Sequence, residues 1–208
     1  MRYEEFVSYV KPFPVIDSTV LNAIKGNSGT LSNLLMLWVR KGRLLRLRRG
    51  LYALPEDRAN QPMSAEVASS LLYFPSYLSL ESALSRYELI PERVTEWTSV
   101  TTRKTMRFTN KLGRFSYSHV APKRFFGFDR LEHEKEIFHM AWPEKALLDW
   151  IYLDDRKVSG AKDYIDILRL QNTQSLSRKR LMATARRFES KKIAAAAAAL
   201  SQALRLNA

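Results

Sequence analysis

The chain has 208 residues, enough for one large domain or two small ones, and its 34 Lys and Arg against 21 Asp and Glu give a net charge of +13. It has no cysteine, which excludes disulfides, cysteine-ligated zinc, iron–sulfur clusters and a thiol nucleophile. Its seven glycines form neither a GxGxxG nor a GxxxxGK(S/T) motif, so Rossmann dinucleotide enzymes and Walker-type NTPases are not expected.

Residues 18–41 predict two helices separated by a turn. Asp17 or Ser18 can cap a short helix that runs to about Lys25, and the turn-forming residues 26–29 follow it. Thr30 then caps a second helix. Four apolar side chains of this second helix recur at helical spacing and predict a stripe that faces a core: Leu31, Leu34, Leu35 and Trp38.

A short hairpin is predicted directly after the second helix. Leucines and arginines alternate over residues 45–48, as in a half-buried strand, Arg49-Gly50 forms a turn, and residues 51–54 return as a second strand. Two helices followed by such a hairpin are typical of a winged helix-turn-helix, which we assign to residues 1–56. The whole of residues 18–55 carries seven basic residues and no acidic one, and this segregation favours a nucleic-acid partner over a surface that is basic only for solubility.

The predicted DNA contacts divide by chemistry. Arginines of the hairpin suit phosphates or the minor groove, the basic end of the second helix suits the backbone, and its polar face suits base edges in the major groove. The interpretation competes with a simpler one, in which the leucine stripe is core and the exposed Ser and Asn are merely solvated. The candidate DNA-binding residues are Thr30, Ser32, Asn33, Met36, Arg40, Lys41, Arg43, Arg46, Arg48 and Arg49.

Four segments, in the same order along the chain, resemble the AbiEi antitoxin family. They are TLSNLLMLWVRKGRLLRLRRGLYAL at 30–54, YLSLESAL at 77–84, FFGF at 125–128 and PEKALLD at 143–149. The family commonly has a small or hydroxyl residue before PEKALLD, where this chain has Trp142. The resemblance implies a DNA-binding antitoxin that represses its own promoter at inverted-repeat operators. It also implies a cognate partner, an AbiEii-like nucleotidyltransferase toxin, with direct contact between the two left open.

A second acid-free window, residues 97–128, supplies the candidate surface for that antitoxin role. Two other interpretations are equally open, a second phosphate-contacting surface and the basic exposed face of a sheet. The candidate residues are Arg103, Lys104, Arg107, Lys111, Arg114, Lys123 and Arg124.

The remainder of the chain predicts a mixed α/β C-terminal domain with a helical tail, residues 57–208, so that the whole is α+β. Residues 54–62 suit a linker, since they are polar and contain two prolines. Helices are predicted from Ser64, Ser79 and Pro143, and again over residues 163–170 and 181–206. Residues 97–102, 106–109 and 114–120 are rich in Thr, Val, Phe and Tyr and predict strands.

The sequence predicts no enzyme, cofactor or metal site. His133 and His139 are six residues apart, which does not match the spacing of HExxH, and no Gly-x-Ser-x-Gly occurs. One alternative is a metal-dependent nuclease that uses the acidic stretch 129–155. The carboxylates and the lysine available for such chemistry are Asp149, Asp154, Asp155 and Lys157. Another is a winged-helix transcriptional regulator without an antitoxin role.

No membrane segment is predicted. The longest consecutive apolar run is Ile193–Leu200, far shorter than the ~20 residues that a spanning helix needs. The N-terminus, MRYEEFVSYV, has an acidic pair where a signal peptide has its basic region. We therefore expect a soluble, cytoplasmic protein.

Overall fold

Two sheets organise the chain in the computed structural model, which describes residues 1–25, 28–60, 63–133, 136–156 and 160–206. The first sheet has three strands, and the second is a six-stranded mixed sheet that is flanked by helices. The predicted α+β class is confirmed at this level. Among the described residues, no helix combines the length and the apolar character that crossing a bilayer requires.

The N-terminal elements alternate helices with very short strands. The three strands form an antiparallel sheet in the order β1-β3-β2. The elements are α1 (Tyr3–Val10), β1 (Ile16–Asp17), α2 (Ser18–Lys25), α3 (Ser28–Arg40), β2 (Leu45–Arg48) and β3 (Leu51–Ala53).

Helix α3 buries the predicted stripe. Leu31, Leu35 and Trp38 are buried, and Leu34 packs against the same cluster. The helix begins at Ser28, so Thr30 lies inside its first turn and is not the N-cap residue. Residues 26 and 27 of the predicted turn lie outside the described residues. Asp17 does help to start α2, because its Oδ1 accepts a 2.7 Å hydrogen bond from the backbone N–H of Thr19.

The six-stranded sheet has the order β6-β7-β5-β4-β9-β8. The pairs β5/β7 and β4/β9 are parallel, and the other three pairs are antiparallel. The strands are β4 (Ser76–Leu78), β5 (Trp97–Thr101), β6 (Met106–Asn110), β7 (Gly113–His119), β8 (Phe128–His133) and β9 (Glu136–Ala141). The helices are α4 (Ala65–Leu72), α5 (Leu80–Arg86), α6 (Pro143–Leu153), α7 (Ala161–Leu168), α8 (Arg178–Arg187) and α9 (Lys191–Ala203), with 3₁₀ turns at Pro122–Arg124 and Thr173–Ser175.

The predicted C-terminal elements were correct in part. The helices from Ser64, Ser79 and Pro143 and the three predicted strands are present. Strands β4, β8 and β9 were not predicted. The single helix expected over 181–206 is two helices, because the backbone reverses at Glu189, whose φ is +51°, and Ser190 caps α9. The alanine-rich segment lies within α9, where Ala196 and Ala197 are buried.

A buried ion pair lies at the centre of the larger core. Lys145 and Asp149 are one turn apart on α6, and neither side chain has any exposed surface. Their ammonium and carboxylate groups are in direct contact. Asp149 Oδ2 also accepts hydrogen bonds from the Tyr77 and Ser79 hydroxyls at 3.0 and 2.9 Å. The Tyr77 oxygen in turn accepts a 2.8 Å hydrogen bond from Lys145 Nζ, so the phenol links both charges.

Apolar groups close the space around the ammonium. Lys145 Nζ lies 5.0 Å from the ring centre of Phe126 and 4.5 Å from that of Phe188. A methyl group on Gly127 would come within 3.1 Å of Lys145 Cγ, closer than an ordinary contact, and the φ of +76° at this position also favours glycine. Burial lowers the pKa of Lys145 and raises the pKa of Asp149, and the contact between the two charges opposes both effects. The pair thus joins three of the four family-like segments, 77–84, 125–128 and 143–149.

We expect Asp149→Asn to lower the free energy of unfolding by about 3–5 kcal/mol, because it leaves the Lys145 ammonium buried without a counter-charge. Urea unfolding followed by circular dichroism measures the change. Asp155→Asn, at an exposed neighbouring position, should change it by less than about 0.5 kcal/mol. A loss below about 1 kcal/mol for Asp149→Asn would show that the pair is not a main determinant of stability.

Candidate nucleic-acid interface

The exposed candidate residues lie on two consecutive elements, the outer face of α3 and the β2–β3 hairpin, which together are called here the N-terminal basic surface. The burial of the leucine stripe turns the opposite face of α3 outward. Ser32, Asn33 and Arg40 are exposed on this face, Met36 is half-buried, and Leu37 keeps 41% of its surface exposed. The polar candidates from the sequence therefore lie together on one side of the helix.

Aromatic packing by α1 holds α3 in place. The ring of Phe6 lies 4.7 Å from that of Trp38, and Tyr3 meets the same indole edge-on at 5.4 Å. The Tyr3 hydroxyl donates a 2.7 Å hydrogen bond to the backbone carbonyl of Arg43, and the Arg43 guanidinium lies 5.2 Å from the Tyr3 ring centre. Burial raises the pKa of Tyr3, so this phenol stays a donor. The basic end of α3 is thus anchored.

The hairpin tip is fixed to the start of α2. Arg49-Gly50 forms the turn, and the Gly50 carbonyl accepts hydrogen bonds from the backbone N–H and the hydroxyl of Ser18 at 2.9 and 3.1 Å. Arg46, on β2, and Arg49, in the turn, are both exposed. Neither guanidinium group has a hydrogen bond or ion pair with a described residue, so both are available to a ligand.

Arg48 is placed differently from its neighbours. Its Nε donates a 2.7 Å hydrogen bond to the carbonyl of Leu72, and Nη1 donates to the Arg49 carbonyl at 3.1 Å. A β-bulge lies between Arg46 and Arg48, where the pairing of β2 with β3 shifts by one residue. A bulge re-aims the side chains that follow it, and this one turns Arg48 toward the C-terminal part of the chain. Simple alternation along β2 could not have predicted this.

Five cations of the N-terminal basic surface have no ion-pair partner among the described residues. Arg58, just beyond the hairpin, forms ion pairs with the nearby carboxylates of Glu4 and Asp57, each at 3.5 Å. The unpaired charges thus form a local positive field that attracts an anion. The exposed cations without an ion pair to any described residue are Arg40, Lys41, Arg43, Arg46 and Arg49.

The second basic window does not form one surface. Arg103 stacks over Tyr73, 4.2 Å from the ring centre, and Tyr73 packs against Phe108 of β6. Successive side chains of a strand point to opposite faces, so Arg107 lies on the other face of the sheet from Phe108 and Arg103. Arg114, on β7, lies on the Arg107 face because it is paired with Thr109, two residues beyond Arg107.

The remaining members of that window have other surroundings. Lys111 is exposed in the β6–β7 turn, and Lys104 is exposed beside Arg103. Lys123 forms a 2.6 Å ion pair with Glu189, and Arg124 donates to the carbonyl of Phe188 at 3.1 Å. These last two side chains attach the 3₁₀ turn to the C-terminal helices.

The acidic stretch does not gather its carboxylates. Asp149 is buried against Lys145, Asp154 accepts a 2.7 Å hydrogen bond from Arg156 Nε, and Asp155 is exposed. In the described ranges, no group of three or more His, Asp or Glu side chains is close enough to hold a metal ion. Lys157 lies outside those ranges.

Comparisons with known proteins give no family assignment. No protein-family model matches the chain, and a search of curated proteins returned no match. The functional interpretation therefore depends on the geometry above and on the resemblance of the quoted segments.

We expect Gly50→Ala to lower the free energy of unfolding by about 1–2 kcal/mol, because the left-handed φ of +79° disfavours any side chain. The added methyl would also lie 3.3 Å from Ser18 Oγ, at the contact that fixes the tip. Chemical denaturation measures the loss. Gly160→Ala is the control, since its backbone is extended and no described residue lies within 4 Å of the new methyl. Equal stability of the two variants would contradict the strain at Gly50.

Proposed function

We propose that residues 1–56 form a winged helix-turn-helix that binds double-stranded operator DNA. The observation that carries this proposal is the set of five exposed cations on the N-terminal basic surface, which have no ion pair with any described residue and no acidic residue between them in the sequence. The element order α1-β1-α2-α3-β2-β3 and the strand order β1-β3-β2 support it, because a two-stranded hairpin directly follows α3 and its Tyr52 is buried in the same cluster as the α3 stripe.

In this proposal α3 enters the major groove. A helix of this length spans about 20 Å, and the major groove of B-DNA is wide enough to admit it. Ser32 and Asn33 face outward on α3 and supply hydrogen bonds to base edges, with Met36 and Thr30 beside them. Arg40, Lys41 and Arg43 follow at the end of the helix and contact phosphates.

The hairpin flanks the same duplex. Arg46 and Arg49 have free guanidinium groups and suit phosphates or the minor groove. The contacts of Arg48 with Leu72 make it a weaker candidate for phosphate binding than its two neighbours.

The salt dependence of binding to the DNA upstream of the chain's own gene tests this proposal. About six neutralised phosphates give a log–log slope near −5, and the Arg46→Ala/Arg49→Ala variant should reduce the slope by about two. A gel shift against scrambled competitor measures both specificity and slope. The Arg178→Ala/Lys179→Ala variant removes the same charge from exposed positions on α8 and should leave the slope unchanged. A flat salt response of the wild type, or equal effects of the two variants, would contradict the proposed interface.

The second part of the proposal is an antitoxin role. We propose that the protein represses its own promoter and counteracts an AbiEii-like nucleotidyltransferase toxin through residues 57–208. The support is the resemblance of the four quoted segments, three of which meet at the Lys145–Asp149 pair. The resemblance thus concerns residues that pack together as one unit.

The two faces of the sheet suggest where a toxin would be opposed. Arg103 donates to the carbonyl of Phe74, two residues from the Leu72 carbonyl that holds Arg48. Arg103 and Lys104 therefore lie near the DNA-binding hairpin. Arg107 and Arg114 lie on the other face, which stays free when the hairpin is on DNA.

We expect the Arg107→Ala/Arg114→Ala variant to lose rescue of cells from the toxin while it keeps operator binding. The Arg103→Ala/Lys104→Ala variant is the matched control, with the same charge loss, and should keep rescue. Co-expression with the adjacent toxin gene and a gel shift measure the two properties separately. Full rescue by the Arg107/Arg114 variant would contradict the assigned face. If the wild type itself does not rescue the cells, a regulator without an antitoxin role is favoured.

A further inference from the structure

The β2–β3 hairpin contributes to two cores. Tyr52 is buried with the α3 stripe and α1, whereas Leu47, Leu51 and Ala53 are buried in a second cluster with side chains of α4 and β7. The partners of the hairpin in that second cluster are Ala68, Leu72, Tyr73, Phe115 and Tyr117. The C-terminal sheet therefore shares in fixing the position of the hairpin.

Two side-chain hydrogen bonds cross this junction. Arg48 Nε donates to the Leu72 carbonyl at 2.7 Å, at the end of α4. Asn110 Nδ2, at the end of β6, donates to the Leu47 carbonyl at 3.1 Å. The Asn110 amide cannot turn freely, because its Oδ1 accepts a 2.8 Å hydrogen bond from the Leu112 N–H. Each bond thus joins a side chain on one side of the junction to a backbone carbonyl on the other.

The buried phenol of Tyr117 lies close enough to the Arg48 guanidinium to interact with its charge. Tyr117 has no exposed surface, and its hydroxyl donates a 2.6 Å hydrogen bond to the Ser69 carbonyl of α4. Burial raises the pKa of Tyr117, and the positive charge of Arg48 opposes this rise. The guanidinium thus lies beside the C-terminal core, whereas Arg46 and Arg49 face solvent.

We propose that Arg48 and Asn110 are positioning residues, which hold the hairpin against the C-terminal sheet so that Arg46 and Arg49 reach DNA phosphates. Arg48 itself makes no phosphate contact. This inference rests on the proposed DNA binding and assigns the C-terminal sheet a part in it. It separates two arginines that are adjacent in sequence into one that neutralises phosphate and one that does not.

The salt slope of DNA binding distinguishes these roles, since only a residue that neutralises a phosphate changes it. The full-length wild type, Arg48→Ala, Arg49→Ala and Asn110→Ala are titrated with a duplex from the region upstream of the gene, at several salt concentrations. Arg49→Ala should reduce the slope by about one. Arg48→Ala and Asn110→Ala should weaken binding about five-fold at every salt concentration, the effect of one lost hydrogen bond, with the slope unchanged.

The control is Asn172→Gly. Asn172 Nδ2 also donates to a backbone carbonyl, that of Glu88 at 3.0 Å, but in a loop that is not part of the junction, and glycine keeps its left-handed backbone. It should leave both affinity and slope unchanged. Circular dichroism checks that each variant is folded, and Asn110→Ala tests the junction even where Arg48→Ala fails to fold.

Each outcome decides a different point. A reduced slope for Arg48→Ala, or unchanged affinity for Asn110→Ala, would overturn the positioning role while DNA binding stands. Absence of specific binding by the wild type would overturn the proposed function itself, and the positioning role with it.

Discussion

The Lys145–Asp149 pair is the constraint on which the larger part of the structure depends. Transfer of two charges from water into a protein core is costly unless each finds its partner and the remaining hydrogen-bonding groups are satisfied. Here the solution requires two hydroxyls from the end of β4, a glycine in the 125–128 segment and the Phe188 ring after α8. A central strand, an irregular loop and the helical tail are thereby fixed relative to α6.

How much of this could be predicted from the sequence varied with the kind of signal. The sequence correctly predicted the helices that begin after Ser64 and Ser79 and at Pro143. It also predicted the strands that are rich in Thr, Val and aromatic residues. Strands β8 and β9 were missed because the charged residues Asp129, Arg130 and Glu132 interrupt the apolar pattern of β8, and because the pairing of the two strands decides their conformation. The α8–α9 break was missed since Glu189 is not a residue type that signals a left-handed turn.

The candidate site shows the same division. The buried stripe and exposed polar face of α3 follow from helical periodicity, which the sequence contains. Arg48 is separated from Arg46 and Arg49 by a β-bulge and by its hydrogen bond to the carbonyl of Leu72, which is distant in sequence. The amino-acid sequence alone reveals neither feature. Likewise, the seven cations of the second window lie in one stretch of sequence but do not share a surface. Successive side chains of a β-strand point to opposite faces, and other members of the window lie in turns.

The division of the hairpin between two cores bears on how the N-terminal region could evolve or be engineered. A cut near residue 56 would leave α1, α2 and α3 with their own core but would strip the hairpin of the apolar partners it shares with α4 and β7. The proposed DNA-binding unit, residues 1–56, is thus not a segment that recombination can transfer whole to another protein. A functional chimera would also have to include the surface of α4 and β7 that packs against the hairpin.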